Sequence, residues 1–182
     1  MKKLLLLAAP LLALALAGTA RAELPVGASA PNFSTRGALD GKTYAFNLRA
    51  ALRRGPVVLY FFPKAFSKGC TAEAHDFAEA TAQFKAAGAT LIGMSADDIG
   101  TLHKFSTQEC SSKFPVASDP DLKVIKAFDS VFVSTSDKVL NLSDRISYVI
   151  GQDGKVAYAY SDRNPDKHVA NTLTAVKALT KK

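Results

Sequence analysis

An α/β fold with a mixed central sheet flanked by helices is predicted by three observations. Residues 57–62 are continuously apolar and rich in β-formers, a segment of helical period follows them, and a second short apolar run occupies residues 91–94. A strand buried on both faces reads as an unbroken hydrophobic run. Strand, helix and strand in that order make a βαβ unit and hence a parallel pair.

The chain opens with Lys2 and Lys3, an apolar run over residues 4–17, and a small-residue stretch ending in Ala20-Arg21-Ala22. That is the layout of a secretory signal peptide with an A-x-A cleavage site. The run is shorter than the roughly 20 residues a membrane anchor needs. Removal of residues 1–22 is expected to leave one soluble domain, residues 23–182, exported to the periplasm or secreted and free of the membrane.

Gly37 and the Asp40-Gly41 pair lie between short runs around Phe33 and Tyr44 and predict an N-terminal β-hairpin. Val57, Val58, Leu59, Tyr60, Phe61 and Phe62 then form the central strand, ended by Pro63. From Cys70 to Ala87, Phe77 and Phe84 share a stripe with Ala74, Ala78 and Thr81, and Gly88 stops the helix. Leu91, Ile92, Gly93 and Met94 supply the next strand, and Asp97 is read as the cap of a helix burying Ile99, Leu102 and Phe105. Asp119 before Pro120 is read as an N-cap with proline at the first helical position, opening a short helix through Phe128. Residues 131–143 read as irregular strand and loop. Residues 146–150 and 156–160 flank Gln152-Asp153-Gly154, a hairpin signal, and Val169, Leu173, Val176 and Leu179 share one face of a last helix. This order of elements points to a thioredoxin-like fold.

The formal net charge of +7 falls by three, to +4, once Lys2, Lys3 and Arg21 are removed. An excess of that size, spread along the chain, does not predict nucleic-acid binding. The pairs Arg53-Arg54 and Lys181-Lys182 read as solvated surface. His75, His103 and His168 lack metal-ligand spacing and read as surface or capping residues. No metal, nucleotide, flavin or haem cofactor is predicted. Two cysteines are present, Cys70 and Cys110. In an oxidising compartment they could form a structural disulfide, worth about 4 kcal/mol on the chain-entropy estimate.

The surroundings of Cys70 favour a different use. It follows a strand that ends in proline, then a short polar loop, Pro63-Lys64-Ala65-Phe66-Ser67-Lys68-Gly69, and it opens a helix. A sulfur there lies among unpaired amides at the positive end of the macrodipole, which favours thiolate. Gly69 permits close approach, and the Ser67 hydroxyl can donate to or accept from a bound hydroperoxide.

Pro63, Ser67 and Cys70 fit the peroxiredoxin pattern P-x-x-x-(T/S)-x-x-C. Tyr60-Phe61-Phe62-Pro63-Lys64 and Gly69-Cys70-Thr71-Ala72-Glu73-Ala74 resemble the bacterioferritin-comigratory (PrxQ) branch of that family. The resemblance continues at residues 26–33, 114–119 and 145–150 and at Asp153-Gly154-Lys155, over nearly all of the chain after residue 22. It implies a thiol-dependent peroxidase acting on hydrogen peroxide and organic hydroperoxides. Cys70 would be the peroxidatic cysteine, Pro63 its shield, Ser67 a peroxide ligand, Arg145 the cation that holds the thiolate, and Glu73 the residue that orients Arg145.

Two departures stand out. Many relatives carry a second cysteine five residues after the first, but here that position is His75, so no disulfide can form within that helix. Cys110 matches the region where another subset carries its resolving cysteine, and the alternatives of resolving and structural thiol stay open. The resemblance also implies a thioredoxin-like or other dithiol reductant and a monomer or weak homodimer. A dithiol oxidoreductase is disfavoured, because the chain has no C-x-x-C and no proline immediately before Ile146, where that family places its cis-proline. A non-catalytic binding or chaperone protein, stapled by Cys70 and Cys110, is the alternative outside enzymes.

Overall fold

The computed structural model describes residues 23–134 and 139–180. The signal-peptide reading falls on residues 1–22 and lies outside the described residues. Strands β1 (Ser34–Leu39) and β2 (Lys42–Asn47) form the predicted N-terminal hairpin. Its turn is Asp40-Gly41, with φ of 52° and 68°, the left-handed pair that suits strand twist. A short helix, α1 (Leu48–Leu52), follows and is capped by the Asn47 side chain, which accepts from the Ala50 N–H. Five residues are too few to show a helical period, so no pattern marks this helix in the sequence.

Strand β3 (Val57–Phe61) is buried along its whole length. Val58 and Tyr60, with Phe62 just beyond, face one apolar cluster, while Val57, Leu59 and Phe61 face the other. Helix α2 (Lys68–Ala86) starts two residues before Cys70. It ends where Gly88 turns to a φ of 73°. There the Gly88 and Ala89 amides donate back to Lys85 and Phe84, the usual reason for a glycine at a helix end. Strand β4 (Thr90–Ser95) pairs parallel with β3, as the βαβ reading requires.

Helix α3 (Ile99–Gln108) corrects one cap. Asp98, not Asp97, accepts from the Thr101 N–H. Asp97 instead accepts from the Ala65 N–H at 2.7 Å and the Ser95 hydroxyl at 2.8 Å. Of two adjacent aspartates only one can sit at the cap, and the strand-side contacts claim the other. Leu102 and Phe105 are buried as predicted.

After β5 (Val116–Ser118), helix α4 (Lys123–Ala127) begins later than expected. Asp119 and Pro120 lie in a turn closed by the Leu122 amide on the Asp119 carbonyl. The Asp119 carboxylate still serves the helix from a distance, accepting from the amides of Lys123, Val124 and Ile125. Strands β6 (Val131–Val133) and β7 (Val139–Ser143) form a separate two-stranded sheet within the segment read as irregular. Strands β8 (Ile146–Ile150) and β9 (Val156–Ser161) make the second predicted hairpin. A single 3-10 turn, Pro165–Lys167, leads into α5 (His168–Thr180). Leu173 and Val176 of α5 are buried, but Leu179, in the last turn of the helix, is exposed.

The main sheet runs β2-β1-β5-β4-β3-β8-β9 and mixes parallel and antiparallel pairs. Phe77 of α2, Leu102 of α3 and Val176 of α5 pack on one face, while Leu48 of α1 and Ile125 of α4 pack on the other. No helix among the described residues is long and apolar enough to cross a membrane.

Candidate active site

Where β3 ends, the chain enters a loop pinned from β4, from the end of β7 and from Asp97. The Phe62 amide donates to Met94, its carbonyl accepts from the Ser143 hydroxyl at 2.7 Å, and the Ala65 amide reaches Asp97. Phe66 adopts a φ of 64° and is exposed, its ring edge on Phe105. Pro63 is half-buried at the loop's start. Ser67 occupies the N-cap position of α2, yet its side chain makes no cap hydrogen bond. Its exposed hydroxyl is therefore free of the task that serine usually performs there.

Cys70 sits in the first turn of α2 and is only 1% exposed. Arg145, immediately before β8, places Nη2 3.4 Å from the Cys70 sulfur and donates through Nη1 to Glu73 Oε2. Its Nε donates to the Arg163 carbonyl at 3.0 Å. The guanidinium fork thus bridges two groups that lie one helical turn apart. Burial alone would lower the Arg145 value, but the adjacent Glu73 and Cys70 carry it above the ordinary one. A Cβ at Gly69 would stand 3.1 Å from Arg145 Nη2, so glycine gives the guanidinium room.

Glu73 is fully buried, and its carboxyl is pushed up to about 8 by that burial, against the pull of Arg145. Its second oxygen, Oε1, lies 3.7 Å from His168 Nδ1. His168 is also fully buried, which corrects the surface reading of that histidine. Its Nδ1 meets the Ser147 hydroxyl at 2.8 Å and its Nε2 the Asp162 carbonyl at 2.8 Å. Burial pushes the imidazole down to about 4. The Tyr60 hydroxyl is buried without a hydrogen-bond partner among the described residues. Burial, then the charges of Cys110, Glu73 and Cys70, keep it firmly protonated.

Cys110 lies just past the end of α3 rather than in it, in the turn after the C-cap residue Glu109. Its thiol is fully buried, and burial, seconded by Glu109, pushes it up. Both cysteines are free thiols. The segment is held by a 2.9 Å contact from His75 of α2 to Glu109 and a 2.7 Å bond from the Ser112 hydroxyl to Asp40. Ser111 and Ser112 both carry left-handed φ, 50° and 55°.

A profile of the AhpC/TSA family matches residues 26–159. The chain belongs to the AhpC/TSA family. A chloroplastic peroxiredoxin Q of Oryza sativa subsp. japonica is 34% identical over 154 residues, covering 84% of this chain and 67% of the relative. The crystal structure of peroxidoxin BcpB from Mycobacterium tuberculosis superposes with a TM-score of 0.74 at 27% identity, covering 85% of this chain and 97% of that one. A Xanthomonas campestris bacterioferritin comigratory protein, solved in a study of its alkyl peroxide reduction activity, gives 0.71 at 29% identity over 80% and 91% of the two chains. Membership makes this AhpC/TSA chain a peroxiredoxin, an oxidoreductase of the peroxidase kind, on a thioredoxin-like fold.

Of the predicted residues, Cys70, Glu73 and Arg145 are in direct contact. Ser67 and Pro63 stand on the loop that leads to them, and Cys110 lies apart, beyond α3. Sequence reasoning missed Ser147 and assigned other roles to His168 and Asp97. The one local signal for His168 was its place four residues before the buried Thr172, at the margin of the α5 apolar stripe.

Proposed function

We propose that residues 23–182 act as an exported, periplasmic or secreted, thiol peroxidase in which Cys70 attacks hydrogen peroxide and organic hydroperoxides. The observation that carries this reading is the Arg145 Nη2 contact at 3.4 Å on a buried cysteine in the first turn of α2. The guanidinium is placed to donate to the sulfur, whose nucleophilic form is the thiolate. The thiolate attacks the terminal peroxide oxygen and the O–O bond breaks. The departing alkoxide or hydroxide takes up a proton and leaves as alcohol or water, and sulfur remains as sulfenic acid. Ser67 binds the peroxide and Pro63 shields the sulfur.

The thiol of Cys110 then condenses with the sulfenic acid, forming the disulfide and releasing water. A thioredoxin-like dithiol reduces that disulfide and is itself oxidised. The strained, externally pinned turn that carries Cys110 supports its release from the core for that step. The chain works as a monomer or weak homodimer.

Peroxide consumption by the reduced protein tests the assignment. Cys70→Ser is expected to abolish turnover, and retention of more than a trace overturns the reading. Cys110→Ser is expected to complete one turnover and then accumulate sulfenate. Normal dithiol-dependent cycling in that variant would remove Cys110 from the reaction.

A further inference from the structure

We infer that His168 is a positioning residue for peroxide reduction: its neutral ring edge faces the free oxygen of Glu73 without offering it a donor, so that Glu73 keeps one proton and leaves the Arg145 charge to Cys70. The inference rests on Cys70 being the attacking thiolate.

The hydrogen-bond partners fix the tautomer of His168. Nε2 faces the Asp162 carbonyl at 2.8 Å, and a carbonyl can only accept, so Nε2 bears hydrogen. A neutral ring then turns the lone pair of Nδ1 toward the Ser147 hydroxyl at 2.8 Å. Glu73 Oε1 shares that side of the ring at 3.7 Å, buried and without a hydrogen-bond partner among the described residues. Arg145 already occupies Oε2. An ionised carboxylate with one oxygen unpaired in a dry site is costly. The lone pair of Nδ1 is engaged by Ser147 and the ring offers Oε1 no donor, so a proton on Oε1 removes the charge and with it most of that cost.

The state of Glu73 decides how Arg145 is shared. With Glu73 neutral, the guanidinium faces one anion, Cys70. With Glu73 ionised, the same charge is divided between two, and less remains for the thiolate and the oxygen that develops charge as the O–O bond breaks.

The charged and titratable neighbours are few. On α2 these are Cys70 and Asp76, and Asp76 works against ionisation of Glu73. Arg145 approaches from the segment before β8 and opposes protonation of both members. Tyr60 reaches from β3 and feels the Glu73 charge. Asp162 lies after β9, and the Tyr160 ring stands 4.8 Å from the imidazole. Asp166, in the 3-10 turn, acts on Asp76. With Glu73 pushed up to about 8 and His168 down to about 4, the pair holds one proton through the neutral range.

Rapid-mixing rates of peroxide reduction across pH test this on the full protein, in wild type, Glu73→Gln, His168→Gln and the double variant. In wild type the rate is expected to fall as pH rises through the titration near 8, where the proton leaves. Glu73→Gln is expected to lose that alkaline limb. In His168→Gln an amide N–H replaces the ring edge and can donate to Oε1, which favours the ionised carboxylate, and the limb is expected to move down by about one pH unit. Adding His168→Gln to Glu73→Gln is expected to leave the shape of the profile unchanged. An unmoved limb in His168→Gln, or a uniform loss at every pH, overturns the inference and leaves His168 as packing.

Nitrogen NMR of histidine-labelled wild type serves if the variants do not fold. It is expected to show a neutral His168 with hydrogen on Nε2 between the two titrations, and a charged ring there overturns the inference. Peroxide turnover by Cys70→Ser would instead mark failure of the underlying assignment.

Discussion

Arg145 spends each of its nitrogens on a different partner: Cys70, Glu73 and the Arg163 carbonyl. A lysine offers a point charge and cannot span sulfur and carboxyl at once. Arg145→Lys is therefore expected to slow peroxide reduction by about 100-fold or more, the cost of losing a placed donor at a developing charge. Stopped-flow rates check this, and a rate within a few-fold of wild type would show that charge alone suffices. The direct contacts of this site were legible because each has a local mark. Cys70 opens a helix, Glu73 follows one turn later, and Arg145 precedes a strand. His168 has only its place four residues before Thr172, since a histidine at the start of a helix is ordinarily solvated and only the fold brings α5 against α2. Asp97 was visible as a cap signal but misread, because its partner, the Ala65 amide, belongs to another loop.

At the scale of elements, the sequence located every long helix and the strands of the βαβ unit, and it failed on short or indirectly capped pieces. Helix α1 was missed, and the start of α4 was misplaced because Asp119 reaches its amides across a turn. The turn after α3 combines two left-handed serines with two side-chain ties, one of them from His75 to Glu109. His75 is half exposed, so the tie is worth no more than a surface pair. His75→Ala is expected to speed hydrogen exchange at residues 109–113 by about two- to fivefold, with α2 protection otherwise kept. Equal exchange in both proteins would show that this contact does not restrain the turn.

For the molecule as a whole, periodicity predicted one parallel pair and two hairpins but could not order them. The N-terminal hairpin joins the sheet through β5, and the β8–β9 hairpin enters beside β3. The first junction depends on Gly37, where a Cβ would stand 2.3 Å from the Val116 carbonyl oxygen and 2.9 Å from the Ala117 Cα. Both obstacles are backbone and cannot swing aside. Gly37→Ala is expected to destabilise the protein by about 2–3 kcal/mol, read as a lower Tm. An unchanged Tm would mean that β1 can shift away from β5 at little cost.

The placing of β8 beside β3 has a consequence for the life of the chain before it folds. Arg145 and Cys70 are 75 residues apart in sequence and meet only across that strand pair. Until the pair closes, the thiol has no guanidinium beside it. Folding is what arms it. A nascent or stalled chain lacks the assembled site, and reactivity toward peroxide arrives together with the structure able to contain it.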